Sequence, residues 1–320
     1  MKDTTVVLNA GLVNYDGKVD YNRIASQVTI YDETPQDSIL ERVDGFTIVV
    51  TKEMRLDGDT IRRFPDTVKM ICEAGTGYNN IDLEAAREKG IAVCNIPAYS
   101  SERVAHTAIL LMLGLASSLQ KQIRMLAQGN HDNFRKHLMV DHVEVNAKTL
   151  GVIGYGNIAQ QIIKVAQALG MNILVGTRSP RDDVDGIHFT TNEEVFAKSD
   201  FISLNCPLND STRHMINSET LATMKPTAYL INTARGGLVD EDALIEALND
   251  GVIAGAGLDV QEVEPLDDAS PLYTMDNVII TPHMGWRGLE TRQRLVSMIG
   301  DNIRAFASGN PINRVDEAKR

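Results

Sequence analysis

At 320 residues the chain is long enough for two domains with separate cores, and a make-up of 43% hydrophobic and 23% charged residues excludes a disordered chain. Its formal charge of −12 argues against a nucleic-acid backbone or an anionic membrane as partner, because association would begin with repulsion. An anionic substrate would therefore need local positive charge.

Taken in order, the chain opens with Met1, Lys2, Asp3 and Thr4, without the apolar region of a signal peptide. Short β-branched runs then alternate with amphipathic segments. Residues 6–8, 28–31, 48–51, 68–72 and 91–94 read as strands, and 38–43 and 83–89 as helices, the latter stopped by Gly90. Such alternation predicts a parallel sheet covered by helices. After Pro97 comes a long helix starting near Ser101, apolar over 104–116. It is interrupted by His106 and Thr107 and too short to span a bilayer, but it offers a surface that could pair two copies. Residues 128–147 are polar and weakly periodic, an exposed excursion.

A second series of strands follows at 150–153, 173–176, 201–205, 228–232, 253–258 and 278–280. Thr191 with Glu194 has the spacing of a capping box, Asp240 is placed to cap a helix over 241–249, and a last helix covers about 289–307. The three cysteines, Cys72, Cys94 and Cys206, cannot all pair and lie in or beside apolar runs, which suggests reduced core thiols and a cytoplasmic protein.

Between the first two of these strands stands a glycine turn. Residues 150–153 form an apolar run, Gly154 and Gly156 allow a tight turn, and 158–169 carry apolar residues at helical spacing. Gly156 would let a dinucleotide's pyrophosphate approach the backbone, and Ala159, where a third glycine is usual, is small enough for helix-on-strand packing. The phosphates would meet free N–H groups at the helix N-terminus.

Ligands of open parallel sheets bind beyond the carboxyl ends of the strands, so the polar residues there come first. Asn232, Thr233, Ala234, Arg235, Gly236 and Gly237 follow one strand, Asp259 to Pro265 the next, and Thr281, Pro282, His283, Met284, Gly285 and Trp286 the last. In the first series, Glu73 is followed by Gly75, Thr76, Gly77, Tyr78, Asn79, Asn80, Ile81 and Asp82. An arginine, a carboxylate and a histidine thus converge on one sheet edge. The other histidines, His106, His131, His137, His142, His188 and His214, show no metal-ligand spacing, and no metal is expected.

This order of motifs resembles the D-isomer-specific 2-hydroxyacid dehydrogenase family over nearly the whole chain, and the wording of 76–82 and of 281–286 is similar to its glycerate dehydrogenase, or hydroxypyruvate reductase, branch. The resemblance implies an α/β protein with two doubly wound parallel sheets. A Rossmann coenzyme domain, 99–286, would be inserted in a flavodoxin-like substrate domain, 1–98 with 287–320, the active site lying in the cleft. It implies a hydride transfer between NAD(P)H and a small 2-oxo acid, with His283 as general acid/base, Glu264 as its partner and Arg235 as anchor of the substrate carboxylate. Thr76, Gly77 and Tyr99 would also touch substrate. Coenzyme contacts would come from Gly154, Tyr155, Gly156, Asn157, Ile158, Thr177, Arg178, Ser179, Cys206, Pro207, Thr212, Thr233, Ala234, Arg235, Asp259 and His283. A homodimer through the coenzyme domains is implied as well.

The chemistry needs these residue types. Reduction of a 2-oxo acid develops an alkoxide, which a histidine must protonate; a carboxylate orients that histidine, and a guanidinium grips a planar carboxylate at two points. Glu262 rivals Glu264, but the family motif puts the glutamate directly before proline. Two departures stand out. His106 replaces a glutamate common in the family. At the end of 173–176, where an acidic residue would hold the adenosine ribose, the chain has Thr177, Arg178 and Ser179, a set that favours NADP(H) over NAD(H). Hydroxypyruvate with D-glycerate and glyoxylate with glycolate are the first substrates expected, with D-lactate dehydrogenase activity as the alternative. Phosphoglycerate is disfavoured, since 73–82 hold no arginine or lysine and the chain ends at Arg320 without room for a regulatory domain. From another class comes a nucleotide-sensing, corepressor-like interaction protein, which would keep the same Arg235, Glu264 and His283 set.

Overall fold

A computed structural model describes residues 4–317 in two compact units, one made of the chain through Ser100 together with the chain from Trp286 onward, the other of Ser101–Gly285. In the first, β1 (Thr5–Val7), β2 (Val28–Ile30), β3 (Ile48–Thr51), β4 (Met70–Glu73) and β5 (Ala92–Cys94) lie parallel in the order β2-β1-β3-β4-β5, the doubly wound flavodoxin-like order. Both faces are buried, as continuous apolar strands require. Val6, Val49, Ile71 and Val93 pack one core with α1 (Ile39–Val43), α2 (Gly58–Arg62) and α3 (Leu83–Glu88). Val7, Val50, Met70 and Cys94 pack the other with the long C-terminal helix Leu289–Ala307.

The second unit begins with α4 (Ser101–Ala116), α5 (Leu119–Ala127) and α6 (Asp132–Arg135). Its sheet comprises β6 (Thr149–Ile153), β7 (Asn172–Gly176), β8 (Ile187–Thr190), β9 (Phe201–Leu204), β10 (Tyr229–Asn232), β11 (Gly255–Leu258) and β12 (Val278–Ile280). All pairs are parallel, in the order β12-β11-β10-β9-β6-β7-β8. The winding reverses between β6 and β9, which makes the carboxyl ends of these strands the expected ligand edge. Helices α7 (Asn157–Ala168), α8 (Asn192–Lys198), α9 (Ser218–Thr223) and α10 (Glu241–Asn249) complete the unit, and Leu289–Ala307 is α11 of the chain.

Several expectations need correction. The first unit extends to Ser100 and resumes at Trp286, because Tyr99 and Trp286 are buried in its core rather than in that of 101–285. Strand β8 was not anticipated: two apolar residues in Ile187–Thr190 leave too short a pattern to see. Neither was α5, whose amphipathic Leu119–Ala127 follows α4 after a two-residue break. The apolar face of α4 is consumed against its own unit, leaving only Leu110 and Leu113 exposed along it, while Leu119, Ile123, Leu126, Phe134, Leu138 and Met139 form the larger exposed apolar surface. Thr191 does accept from the Glu194 N–H at 3.3 Å, but the Glu194 carboxylate reaches Thr190 and Lys198, so the reciprocal half of the box is absent. The reciprocal box occurs at Asn217 with Thr220. Among the described residues no single helix is long and apolar enough to cross a membrane.

Candidate active site

The loop leaving β6 is shaped for close approach. Gly154 has φ +93°, and a Cβ there would lie 2.8 Å from the Asn205 carbonyl oxygen, so any larger residue would push β6 away from the end of β9. Gly156 is the uncapped N-terminus of α7, exposed, with open space where a Cβ would stand. Asn157 is exposed and Ile158 half-buried behind it, while Ala159 is sealed in the core. The first turn of a 12-residue helix therefore presents N–H groups with no intrahelical partner, the arrangement an anionic pyrophosphate fits. A further orphan polar atom lies at the end of β10, where the Thr233 hydroxyl is buried without a partner. These features suit a dinucleotide.

Other predicted coenzyme residues fall on the same edge. Tyr155 packs edge-on against Phe189 with ring centroids 5.0 Å apart, and the Arg181 guanidinium lies 5.5 Å above the Tyr155 ring. Beyond β7 the Thr177 hydroxyl donates to the Ser179 carbonyl at 2.7 Å, which leaves Arg178 and Ser179 exposed on a tight bend. Asp183 does not oppose them freely: its carboxylate accepts from the Phe189 N–H and pairs with His188 at 2.7 Å, and that hydrogen bond holds its pKa below the usual range. After β9, Cys206 is half-buried, with Sγ 3.6 Å from Met215 Sδ, and desolvation pushes its thiol up to about 11. The Thr212 hydroxyl donates to the Pro207 carbonyl at 2.7 Å, closing the loop between them.

The chemistry-bearing residues follow the ends of β10, β11 and β12, and two of them, His283 and Glu264, are in contact. His283 Nδ1 lies 2.8 Å from Glu264 Oε2, and Glu264 Oε1 accepts the Gln261 N–H at 3.1 Å. With Nδ1 committed, Nε2 is the ring nitrogen left to exchange a proton with a bound molecule. His283 has φ +48°, uncommon for a non-glycine residue, and the backbone around it is held from below. Asp259, only 1% exposed, does this holding: its carboxylate accepts from the Thr281 hydroxyl at 2.6 Å and from the Met284 and Gly285 N–H groups at 2.9 and 2.8 Å. Its carbonyl takes the His283 N–H at 2.8 Å. Asp259 thus acts as a strut for the histidine loop.

Arg235 is placed by similar means. The buried Asn232 side chain donates to the Arg235 carbonyl at 2.9 Å and accepts the Ala234 N–H at 3.1 Å, and Arg235 Nη1 donates to the Ala234 carbonyl at 2.7 Å. At Gly236 a Cβ would stand 1.8 Å from the Gln261 oxygen, so this glycine lets the arginine loop and the glutamate loop touch. Glu262 faces elsewhere: it pairs with His214 at 2.6 Å and Arg213 at 3.3 Å. Of the two glutamates, Glu264 is the one at His283. His106 lies exposed on α4.

In the first unit, the loop after β4 is fixed by its carbonyls and side chains. Ile96 N–H donates to the Gly75 oxygen at 2.9 Å, Asn95 Nδ2 to the Thr76 oxygen at 2.7 Å, and the Thr76 hydroxyl to the Ile96 carbonyl at 3.0 Å. The N–H groups of Thr76 and Gly77 find no acceptor among the described residues. Two charged residues that the sequence did not single out support this loop. Glu73, fully buried, accepts from the Glu53 N–H and from Asn80 Nδ2, each at 2.9 Å, and desolvation pushes its carboxyl up to about 7. Lys52, 3% exposed, contacts Glu53 and sits 4.3 Å above the Trp286 ring. Tyr99 is buried, its carbonyl accepting from Arg294 at 2.7 Å. Among the described residues no three His, Cys, Asp or Glu side chains gather into a metal-binding group.

Residues 109–285 match the family model described as D-isomer specific 2-hydroxyacid dehydrogenase, NAD binding domain. A hydroxypyruvate reductase of Blautia hydrogenotrophica is 33% identical over 98% of this chain and 99% of its own length. A glycerate dehydrogenase of Methylorubrum extorquens is 38% identical over 88% of this chain and 89% of its own. Among solved structures, a D-lactate dehydrogenase from Aquifex aeolicus complexed with NAD and lactic acid superposes with a TM-score of 0.86, at 29% identity over 99% of this chain and all of that one.

Proposed function

Because the chain belongs to the D-isomer specific 2-hydroxyacid dehydrogenase family of NAD(P)-using oxidoreductases, we propose that it reduces a small 2-oxo acid to the D-2-hydroxy acid, hydroxypyruvate and glyoxylate first among substrates. The observation that carries this reading is the His283–Glu264 contact of 2.8 Å on a loop braced by Asp259. When bound, the nicotinamide supplies or accepts the hydride. Nε2 of His283 gives its proton to the developing alkoxide, while Glu264 at Nδ1 fixes the ring and offsets its positive charge. In the reverse direction the neutral ring takes the hydroxyl proton. Arg235 is assigned to the substrate carboxylate as a planar two-point donor, and Thr76 and Gly77 are assigned to the substrate by resemblance. Tyr99 is assigned to the substrate by resemblance, its observed contact being through its carbonyl.

Gly154, Gly156, Asn157 and Ile158 are assigned to the coenzyme pyrophosphate, and Thr233, Ala234, Cys206, Pro207 and Thr212 to its nicotinamide half. The coenzyme is proposed to be NADPH rather than NADH: no carboxylate stands at Thr177, while exposed Arg178 and Ser179 suit a 2′-phosphate. We further assign a homodimer, with the exposed apolar residues from Leu119 to Met139 as its surface, and, from its three free cysteines, a cytoplasmic setting. Initial rates with hydroxypyruvate, glyoxylate and pyruvate, each with NADH and NADPH, test the reading. Turnover of these acids, faster with NADPH, is expected; no turnover of any would remove it and favour a nucleotide-sensing role.

A further inference from the structure

The loop that brings Glu264 to His283 has little backbone bonding of its own. Val263 is exposed, and none of residues 260–263 makes a backbone-to-backbone hydrogen bond among the described residues. Glu262 supplies anchors through both its main chain and its side chain. Its N–H donates to the carboxylate of Glu241, the first residue of α10, at 3.3 Å, and its own carboxylate lies 2.6 Å from His214 Nε2 and 3.3 Å from Arg213 Nη2. Positive charge is needed there: burial, with the nearby charges of Glu262 and Asp242, pushes the Glu241 carboxyl above its usual range. His214 is itself rooted. It has φ +49°, its N–H donates to the Gly237 carbonyl at 2.9 Å, and its carbonyl accepts from Asn217 Nδ2 at 3.1 Å. A left-handed residue other than glycine persists where its surroundings dictate it. Two positions on, the Ile216 N–H donates to the Leu238 carbonyl at 3.0 Å, so the chain leaving the Cys206 to Thr212 loop runs beside the chain leaving Arg235.

From His214 the contacts lead to His283, all within the second unit. Glu262 fixes the peptide it shares with Gln261, which lies where Gly236 has no Cβ. The Gln261 N–H donates to Glu264 Oε1 at 3.1 Å, and Oε2 meets His283 Nδ1 at 2.8 Å. Glu262 and Glu264 thus stand two residues apart on one loop, each on its own histidine, and a loop moved at one is moved at the other. Partly exposed ion pairs such as His214 with Glu262 add little to stability. What they set is position, and a displacement of about 1 Å near reacting groups costs up to about 100-fold in rate. Resting on the function proposed above, we infer that His214 is a positioning residue for the reaction: through Glu262 it holds the loop that places Glu264 on His283, and it ties that loop to the one assigned to the nicotinamide half of the coenzyme.

The test separates position from stability. Measure kcat for hydroxypyruvate reduction, the Kd of NADPH by fluorescence titration and the urea midpoint for wild type, His214→Leu, and His214→Gln, whose amide replaces the Nε2–H donor. His214→Leu should lose about tenfold in kcat, with a Kd within about threefold of wild type and a midpoint close to it, and His214→Gln should recover to within about threefold in kcat. The same His214→Leu change made in Glu264→Gln should cost less than about twofold, because no carboxylate is left to place on His283. Wild-type kcat in His214→Leu, a loss in Kd alone, no recovery in His214→Gln, or the full tenfold loss repeated in the Glu264→Gln background overturns the inference. Should His214→Leu fail to fold, Glu262→Ala takes its place in the same cycle, with Glu262→Gln as the conservative variant and the same expected losses. Failure of the broader reading looks different: wild type would then reduce none of hydroxypyruvate, glyoxylate and pyruvate.

Discussion

Two loops leave the carboxyl ends of strands in one parallel sheet, and they are built in opposite ways. The loop after β12 carries His283 and is bound from beneath by a buried carboxylate of the neighbouring strand end, Asp259, through three hydrogen bonds. The loop after β7 carries Arg178 and Ser179 and is tied mainly to itself, through the Thr177 hydroxyl, with its charged residues in water. Proton transfer needs a ring held within a fraction of an ångström, whereas a coenzyme phosphate can be met by flexible, solvated donors. On the proposed function, rigidity is built where geometry would decide the rate. Where charge would decide the proposed coenzyme preference, the side chains stand in solvent.

Substitutions can break this contrast, and the largest effect belongs to its rigid side. Asp259→Ala leaves three donors without an acceptor, one buried and two partly buried, so we expect a loss of about 3 kcal/mol in urea unfolding and, from a misplaced His283, about 100-fold in kcat. Activity and stability close to wild type would show that the loop is not held this way. Glu73 asks whether the first unit's loop belongs to the same rigid class, since it too is a buried carboxylate binding two neighbours. Its pKa is raised from 4.5 to about 7 by burial, so the folded state binds the extra proton and stability falls as pH rises from about 4.5 through about 7. Glu73→Gln lacks that slope. Its stability relative to wild type should rise by about 3 kcal/mol between pH 5 and pH 8, and a constant difference across that range would refute the assignment.

Smaller effects are expected at the proposed ligand contacts. Arg235→Lys replaces a planar fork with a point charge, and about 2 kcal/mol, or roughly 30-fold in kcat/KM for the oxo acid, should be lost with little change in stability. Unchanged kinetics would take Arg235 out of the site. On the solvated side, Arg178→Ala should weaken NADPH binding about tenfold and NADH binding less than twofold, read by fluorescence titration of each. An equal loss of both coenzymes would mean that the adenosine end is recognised elsewhere.

Much of this molecule was legible in its sequence, for reasons that specific residues make clear. Parallel strands buried on both faces are continuous apolar runs, so β3, β6 and β12 stand within a residue of where they were expected. Gly154, Arg235, Glu264 and His283 lie just past such runs, where chemistry on an open sheet belongs. What escaped depends on contacts across the chain. Lys52 and Glu73 are 21 positions apart and look like ordinary polar strand ends, yet the register that pairs Thr51 with Glu73 brings them to one buried site. Asp259 was expected to touch coenzyme, and its role as a strut becomes visible only when Thr281, Met284 and Gly285 surround it. Strand β8 is two apolar residues in four, too little signal beside the charged bend before it.

The central claim is that Glu264 acts through His283 and not independently of it. A double-mutant cycle tests this most directly: kcat/KM for hydroxypyruvate in wild type, Glu264→Gln, His283→Ala and the double variant. We predict losses of about 30-fold for Glu264→Gln and about 1,000-fold for His283→Ala, with the double variant no worse than His283→Ala by more than about threefold. Losses that multiply in the double variant would show two independent contributions, and the His283–Glu264 pair would then not be the proton-transfer unit.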